Sequence, residues 1–358
     1  ATSQSFLKST MPRLSPRNIL FASSSFLLGA WAFKKVNEVS GPAFEPIIAA
    51  CSDSSIPIED FASQTGYHAY EPKVGFGAFN MLVCLITQFL LELRQTPPAG
   101  VLGWGGVILS SLPYIVMCTI EGGRAGAKGP IRYPIVFGLL NQLFGVSVMC
   151  PLLWIPSYIF GKGNRDSTVS IYRSCCSVFF FLPILVLSMI VFVADTGKYL
   201  WMLSAGILGG PGLTLLSALL WVDKPPSTED TKAVLSRLKA TYYAYVVSAI
   251  IGWVGWMILV FIAYENYGTS TTGMLSNLWN DVWINAGPSV AFMTIDTIVL
   301  YLAVVWCTAY IGGYSAGIKS LLLGPIFGPA SCSLVLADLE LKSLDMIHVS
   351  AKEEKKLS

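Results

Sequence analysis

Long apolar runs constrain the fold of this 358-residue chain more than any other sequence feature. A helix needs about 20 apolar residues to cross a hydrocarbon core roughly 30 Å thick. Eight runs approach or exceed that length, namely 19–34, 74–93, 101–120, 133–160, 175–194, 199–222, 240–264 and 288–311. Only 12% of the residues are charged, against about a quarter in soluble globular proteins. The sequence therefore predicts an all-α, polytopic transmembrane helix bundle of about eight spans that forms one domain over 1–358.

Two apolar segments have alternative interpretations. The run 19–34 is short and rich in serine, so it either spans the membrane or forms an uncleaved signal anchor or an interfacial helix. The stretch 318–337 contains Lys319, Pro325 and Pro329. These residues favour a re-entrant or surface-lying segment over a ninth span.

The distribution of lysine and arginine predicts the orientation of the bundle. If all eight spans cross, both termini share one side with the loops 94–100, 161–174 and 223–239. That side carries 16 lysines and arginines, against 7 on the other side, so the positive-inside rule makes it cytosolic. We therefore expect a cytosolic N-terminal segment at 1–18, a luminal loop at 34–73 and a cytosolic C-terminal segment at 312–358.

The sequence ends in KKLS, so Lys355 and Lys356 are the fourth and third residues counted from the end. This pattern resembles the di-lysine retrieval signal of endoplasmic reticulum membrane proteins, which is read from the cytosol. A lysine-rich tail that ends there by chance is the alternative. The pattern predicts a cellular location and carries no information about chemistry.

Charge and cysteine spacing argue against two classes of function. The formal charge is +2, and no basic patch stands apart from the loops between spans, so no nucleic-acid partner is expected. The two histidines, His68 and His348, are far apart in sequence, and no CxxC spacing occurs. No metal site is therefore predicted, and cysteines within the spans, such as Cys84, are expected to behave as small hydrophobic residues.

The segment AFMTIDTIVLYLAVVW places Asp296 about nine residues into its span, or roughly 13 Å from the membrane surface at 1.5 Å per residue. Ionisable residues at such depth usually face the bundle interior and carry a function. Removal from water favours the neutral carboxylic acid, which is a proton donor. Asn80 and Asn141 lie at similar depth and predict a polar floor there, with interhelical hydrogen bonding as the structural alternative. Asn80, Cys84 and Gln88 recur every four residues, so this helix face is expected to look inward.

Glu121, Asp195, Glu265 and Asp281 fall at or just beyond the predicted luminal ends of helices. The eight-span topology thus predicts one acid-ringed mouth above Asp296. Aromatic residues are abundant near the same mouth and can stabilise a cation, although tyrosine and tryptophan also gather at membrane interfaces for other reasons.

The segment TIEGGRAGAKGPIRYP (119–134) places acidic and basic residues among glycines at the end of a span. It does not match the phosphate-loop pattern GxxxxGK[ST], and no strand precedes it. Glu121 and Arg124 are three residues apart and would pair if the helix continues for one more turn. Such a pair favours the ionised form of Glu121, which suits a base or an electrostatic anchor better than a strong acid.

Two stretches and the later acid-bearing spans carry a family resemblance. The stretches are YEPKVGFGAFNMLVCLITQFLLEL (70–93) and IEGGRAGAKGPIRYPIVFGLLNQLFGVSVMCPLLWIPSYIFG (120–161). Together they resemble fungal integral-membrane terpene cyclases of the ascofuranone and macrophorin type, which act in meroterpenoid pathways. The resemblance covers most of the chain from about 70 to 311.

The resemblance implies a metal-independent cyclase without a cofactor, whose partners are a prenylated aromatic substrate and the lipid bilayer. An enzyme acid would protonate the epoxide or terminal alkene of a farnesyl chain, internal alkenes or a hydroxyl would trap the cation, and a base would remove the last proton. No DDxxD motif occurs, which disfavours ionisation of a prenyl diphosphate. The catalytic candidates are Asp296 or Glu121 as the acid, Arg124 to position Glu121, and Glu265 and Asp281 at the same mouth. The substrate-binding candidates are Asn80, Asn141, Tyr133, Trp201 and Phe292.

Two other classes of membrane protein remain open on the sequence. In a proton- or cation-coupled transporter, Asp296 would be the coupling site. A transporter would more often show an internal repeat or paired helix breaks, and the sequence offers neither. In a receptor, the loops 34–73 and 265–287 would cap a ligand, but the predicted cytosolic loops are short.

Overall fold

A computed structural model describes residues 15–53, 55–57, 60–67, 77–165, 167–179, 181–193, 202, 204, 206–207, 231–268 and 270–357. All regular secondary structure in these residues is helical, which confirms the all-α prediction. Within these residues, five helical segments are long and apolar enough to cross a membrane, namely Pro16–Ser52, Ala99–Gly122, Ile171–Phe192, Lys232–Tyr267 and Pro288–Gly312. The predicted span 199–222 lies almost wholly outside the described residues.

The helices follow one another with short connections over most of the described chain. They are α1 (Pro16–Ser52), α2 (Phe61–Thr65), α3 (Gly77–Gln95), α4 (Ala99–Gly122), α5 (Pro134–Phe144), α6 (Val146–Gly161), α7 (Ile171–Phe179), α8 (Phe181–Val193), α9 (Thr231–Tyr267), α10 (Thr271–Asn280), α11 (Pro288–Gly312), α12 (Tyr314–Phe327) and α13 (Ala330–Leu357). Serine hydroxyls cap two of them: Ser15 accepts from the backbone N–H of Asn18, and Ser270 from that of Gly273. Proline begins α1, α5 and α11, where its missing N–H would have had no helical partner.

Helix α4 packs between α9 and α11 at the centre of the bundle. Gly106 of α4 lies against Thr297 of α11, and Gly103 lies against Met293, so these two helices run in the same direction. Gly105 of α4 faces Leu259 of α9, and small residues at such contacts let helix backbones approach closely.

The predicted span 133–160 is not a single helix, and this is the main correction to the predicted topology. It is divided into α5 and α6 at Gly145, where φ is +86°. The backbone N–H of Lys128, before α5, donates to the carbonyl of Gly161 at the end of α6 at 2.8 Å. The two helices therefore form a hairpin that enters the bundle and returns to the end from which it started.

Helices α12 and α13 form a second hairpin, which turns at Gly328 with φ +57°. On its return, the Leu339 side chain of α13 reaches Gly312 at the end of α11. Helix α13 also packs along α9, because Ala330 lies against Gly252 and the hydroxyls of Ser333 and Ser248 are 2.8 Å apart. The segment after 312 is thus an integral part of the bundle.

Helix α1 continues to Ser52, well beyond residue 34, where the predicted loop begins. Its last turn is joined to α3 by a disulfide between Cys51 and Cys84. The expectation that Cys84 is merely a small hydrophobic residue is therefore wrong.

Candidate active site

Asp296 lies on the wall of a cavity of about 730 Å³ between the helices of the bundle, which we call the central cavity. The residue is only 3% exposed, so its carboxyl group is screened from bulk water. The cavity has the volume of a typical site for a small organic ligand. Helices α1, α3, α4, α5, α6, α8 and α11 contribute residues to its wall.

The turn between α5 and α6 places a second polar group against this carboxyl. The Ser147 hydroxyl donates to Oδ1 of Asp296. Gly145 brings its backbone so close that a Cβ there would lie 3.5 Å from Asp296 Oδ1. The break in the hairpin thus aims the first turn of α6 at Asp296, and a helix N-terminus favours acidic partners.

Aromatic rings form much of the wall on one side of Asp296. Phe292 lies one helical turn before Asp296, and its ring centroid is 5.6 Å from that of Phe89. Phe44 of α1 completes the group, with its centroid 5.8 Å from Phe89 and 6.3 Å from Phe292. Trp104 lines the same cavity. The faces of such rings stabilise nearby cations electrostatically.

Three buried polar atoms on the cavity wall have no hydrogen-bond partner among the described residues. They are Nε1 of Trp104, the hydroxyl of Tyr114 and Oδ1 of Asn141. Tyr114 and Asn141 are close neighbours but form no hydrogen bond of ordinary geometry. Buried polar atoms usually have a partner, so these groups are available to a ligand.

Glu121 lies in a separate, fully paired ionic cluster. Its Oε1 accepts from Nε of Arg124 at 2.9 Å and from Nη1 of Arg165 at 2.5 Å. The two arginines also donate to Oε1 of Glu340, at 2.6 Å and 2.7 Å, and the Tyr158 hydroxyl donates to Glu121 Oε2. The predicted pairing of Glu121 with Arg124 is confirmed, and Glu121 does not line the central cavity.

The ionic cluster keeps its cations charged. Burial opposes the charge on Arg124, but the carboxylates of Glu121 and Glu340 outweigh it and raise the pKa of the guanidinium above its usual value. The charges of two carboxylates and two guanidinium groups balance, which is the condition under which charges are tolerated in a protein interior. The arrangement fits an electrostatic clamp between α4, α13 and the loop before α7.

The predicted single acid-ringed mouth does not form. Because α4 and α11 run in the same direction, Glu121 at the end of α4 and Asp281, shortly before α11, lie at opposite ends of the bundle. Asp281 accepts a hydrogen bond from the Tyr267 hydroxyl, and Glu265 is exposed. Neither lines the central cavity.

Of the predicted substrate-binding residues, Asn141 and Phe292 line the central cavity. Asn80 does not line the cavity. It shares a face of α3 with Cys84, which is bonded to Cys51. The residues of α3 that line the cavity are Leu85, Ile86 and Phe89. Tyr133 is 56% exposed. Trp201 and Asp195 lie outside the described residues.

Comparison with known proteins assigns the chain to no family. No family model, no curated protein and no solved structure matches it.

Several residues of these two sites were not predicted as members, among them Ser147, Arg165 and Glu340. Ser147 gave no signal, because serine is common in membrane helices and only the break at Gly145 brings it to Asp296. Arg165 and Glu340 could have been suspected from the sequence, because each is a charged residue in or next to a segment that packs into an apolar bundle. Their charges balance those of Arg124 and Glu121. Their sequence separation hid the pairing.

Proposed function

We propose that this protein is an integral-membrane, metal-independent terpene cyclase acting on a farnesylated aromatic substrate of the fungal meroterpenoid type. The observation that carries the proposal is the buried carboxyl of Asp296 on the wall of a largely apolar, aromatic-rich cavity of about 730 Å³. A prenyl chain matches such walls chemically, and a buried carboxylic acid is the group that starts cation cyclisation.

In the proposed reaction, the Asp296 carboxyl transfers its proton to the epoxide oxygen or to the terminal alkene of the chain. The epoxide C–O bond opens, or a C–H bond forms, and a carbocation results. Internal alkenes or a hydroxyl then attack this cation to close rings, and loss of a proton restores a neutral product. General acid catalysis of this kind typically contributes 10²–10⁴-fold in rate.

The other residues of the cavity have supporting roles in this proposal. The Ser147 hydroxyl orients the Asp296 carboxyl. The rings of Phe44, Phe89 and Phe292 stabilise the cation as it moves along the chain. Glu45 is the other carboxylate among the lining residues described, and it is the candidate for the base.

The proposed location is the endoplasmic reticulum membrane, with the ionic cluster at the cytosolic end. Arg17, Lys162 and the ionic cluster meet around Tyr310 and Tyr158 at that end, and positive charge favours the cytosolic side. The Cys51–Cys84 disulfide is near the other end of the 37-residue α1, in keeping with an oxidising lumen.

Substitution of the acid tests the proposed reaction. In microsomes given a farnesylated phenol or its terminal epoxide, Asp296→Asn is expected to lower cyclised product at least about 100-fold, because the amide cannot donate the proton. Mass spectrometry measures the product, and an immunoblot checks that the variant stays in the membrane. The matched control is Asp338→Asn, an exposed carboxylate paired with Lys342, which should retain full turnover.

Two results would count against the proposal. Wild-type turnover by Asp296→Asn would show that Asp296 is not the catalytic acid. Failure of the wild-type protein to cyclise either substrate would contradict the proposed cyclase activity.

The broken hairpin supports one alternative, a proton-coupled transporter, because transporter sites often lie at interrupted helices. Gly145 interrupts such a hairpin beside Asp296. This alternative predicts that dye-loaded proteoliposomes acidify when a farnesylated phenol is added outside, and that Asp296→Asn abolishes the signal. A cyclase produces ring-closed product without that proton flux.

A further inference from the structure

The hydroxyl of Tyr114 and Oδ1 of Asn141 form an unsatisfied polar pair on the largely apolar wall of the central cavity. Tyr114 is only 2% exposed, so bulk water does not compensate for the missing hydrogen bonds. A buried polar group without a partner costs about 1–3 kcal/mol. A ligand group placed between the two side chains would recover that loss.

The polar pair and Asp296 lie at different depths of the cavity. Gly106 of α4 is level with Thr297 of α11, the residue after Asp296. Tyr114 is eight residues further along α4, which corresponds to about 12 Å at 1.5 Å per residue. Asn141 precedes Gly145, the residue against Asp296, by four residues, or about 6 Å along α5. The cavity therefore offers one polar position beside the acid and a second position one to two helical turns away.

We propose that Tyr114 and Asn141 bind the oxygen-bearing head group of the substrate, so that its prenyl chain extends along the cavity and presents its far end to Asp296. This inference rests on the proposed cyclase function, because only a cyclase would protonate the far end of the chain at Asp296. Binding of the head group can be measured without turnover. It assigns a substrate class, namely lipids with a neutral hydroxyl or carbonyl head separated by a prenyl chain from the carbon that is protonated.

The chemistry of the pair determines which head groups fit. A phenolic hydroxyl can donate to Asn141 Oδ1 and accept from the Tyr114 hydroxyl at the same time. A hydrocarbon head leaves both groups unpaired. The cavity-lining residues described include no lysine or arginine, so a phosphate or diphosphate head has no counter-charge there.

Binding to the full-length protein in nanodiscs tests the head-group site. The probes are tritiated 2-farnesylphenol and farnesylbenzene, which differ by one hydroxyl. The wild-type protein is expected to prefer the phenol about tenfold, the effect of roughly one well-placed buried hydrogen bond. Tyr114→Phe and Asn141→Leu should each abolish most of that preference while leaving the affinity for farnesylbenzene within about twofold.

The control is Tyr245→Phe. The Tyr245 hydroxyl is also buried without a partner among the described residues, but it does not line the central cavity. This variant should keep the full preference for the phenol. Retention of the preference by Tyr114→Phe and Asn141→Leu would overturn the head-group site.

Photolabelling of the wild-type protein tests the orientation without any variant. A diazirine on the aromatic ring of 2-farnesylphenol should label α4 around Tyr114 or α5 around Asn141, whereas a diazirine at the far end of the chain should label α11 around Phe292 and Asp296. The reverse pattern would overturn the orientation. If the phenol preference and the labelling pattern are as expected but no cyclised product forms, the proposed function is overturned and the head-group site is retained.

Discussion

At the scale of single residues, the bundle contains buried carboxylates in two different environments. Glu121 and Glu340 each accept hydrogen bonds from two arginines, whereas Asp296 has Ser147 as its hydrogen-bond partner and an apolar cavity beside it. Glu121 and Glu340 are therefore balanced by neighbouring positive charge, whereas no cation is hydrogen-bonded to Asp296 among the described residues. A carboxyl without a cation is the better proton donor, so the structure separates two candidates that the sequence left side by side.

Removal of one carboxylate from the ionic cluster should destabilise the protein. We expect Glu340→Gln to lower the free energy of unfolding by about 3–5 kcal/mol, because it leaves buried positive charge uncompensated. Thermal unfolding in detergent measures the loss. Asp338→Asn, which breaks an exposed pair with Lys342 two residues away, should cost less than about 1 kcal/mol.

The same comparison decides the role of Glu121. Glu121→Gln should behave as Glu340→Gln does, with lower stability and with turnover lost only in proportion to folded protein. A Glu121→Gln protein of normal stability that has no activity would contradict the clamp and restore Glu121 as a catalytic acid or base.

At the scale of helices, two hairpins turn inside the bundle, and both turns contain a glycine with positive φ. Gly145 and Gly328 have φ values of +86° and +57°, which residues with a Cβ rarely adopt. The first turn places Ser147 against Asp296. The second lies against Trp256 of α9 and lets α13 return to place Glu340 in the ionic cluster.

Substitution of the first turn glycine should loosen the hairpin. Gly145→Ala forces a side-chain-bearing residue into a conformation that costs about 1–3 kcal/mol, so its thermal midpoint should fall. Gly41→Ala is the control, because Gly41 lies within α1 with open space around its Cβ position, and alanine is the better helix former. Equal or greater stability of Gly145→Ala would contradict the broken hairpin.

At the scale of the whole molecule, the α5–α6 hairpin changes which loops share an end of the bundle. Because α6 returns to Lys128, the loops around 121–132 and 161–170 lie at one end, together with the start of α1, where Arg17 donates to the carbonyl of Tyr310. Arg124, Lys128 and Arg132 then lie at the same end as Arg17 and Lys162. In the predicted eight-span topology, the loop 121–132 is separated from the loop 161–174 only because 133–160 is counted as a full span.

Accessibility of engineered cysteines distinguishes the two topologies. In sealed microsomes, Lys128→Cys and Asn164→Cys, both at exposed positions, should react with a membrane-impermeant maleimide added from the cytosolic side. Asn266→Cys, at the opposite end of α9, should react only after permeabilisation. Protection of Lys128→Cys alongside labelling of Asn164→Cys would support the original eight-span topology instead.

The sequence by itself determined the class of the protein, because long apolar runs with few charges admit little other than membrane helices. It also identified Asp296 as a candidate, because an ionisable residue so deep in an apolar helix is rare unless it has a function. The pairing of Glu121 with Arg124 could be predicted as well, because residues three apart on a helix are neighbours whatever the fold.

Only the tertiary structure decided where these groups lie relative to one another. Apolar periodicity does not reveal whether a helix crosses or turns back, so the return at Gly145 was invisible, and with it the contact between Ser147 and Asp296. The partners of Glu121 in Arg165 and Glu340 were equally hidden, because a pairing across such sequence separations depends on how helices pack. Local sequence fixes depth and helix face, but which faces meet follows from the packing of the whole bundle.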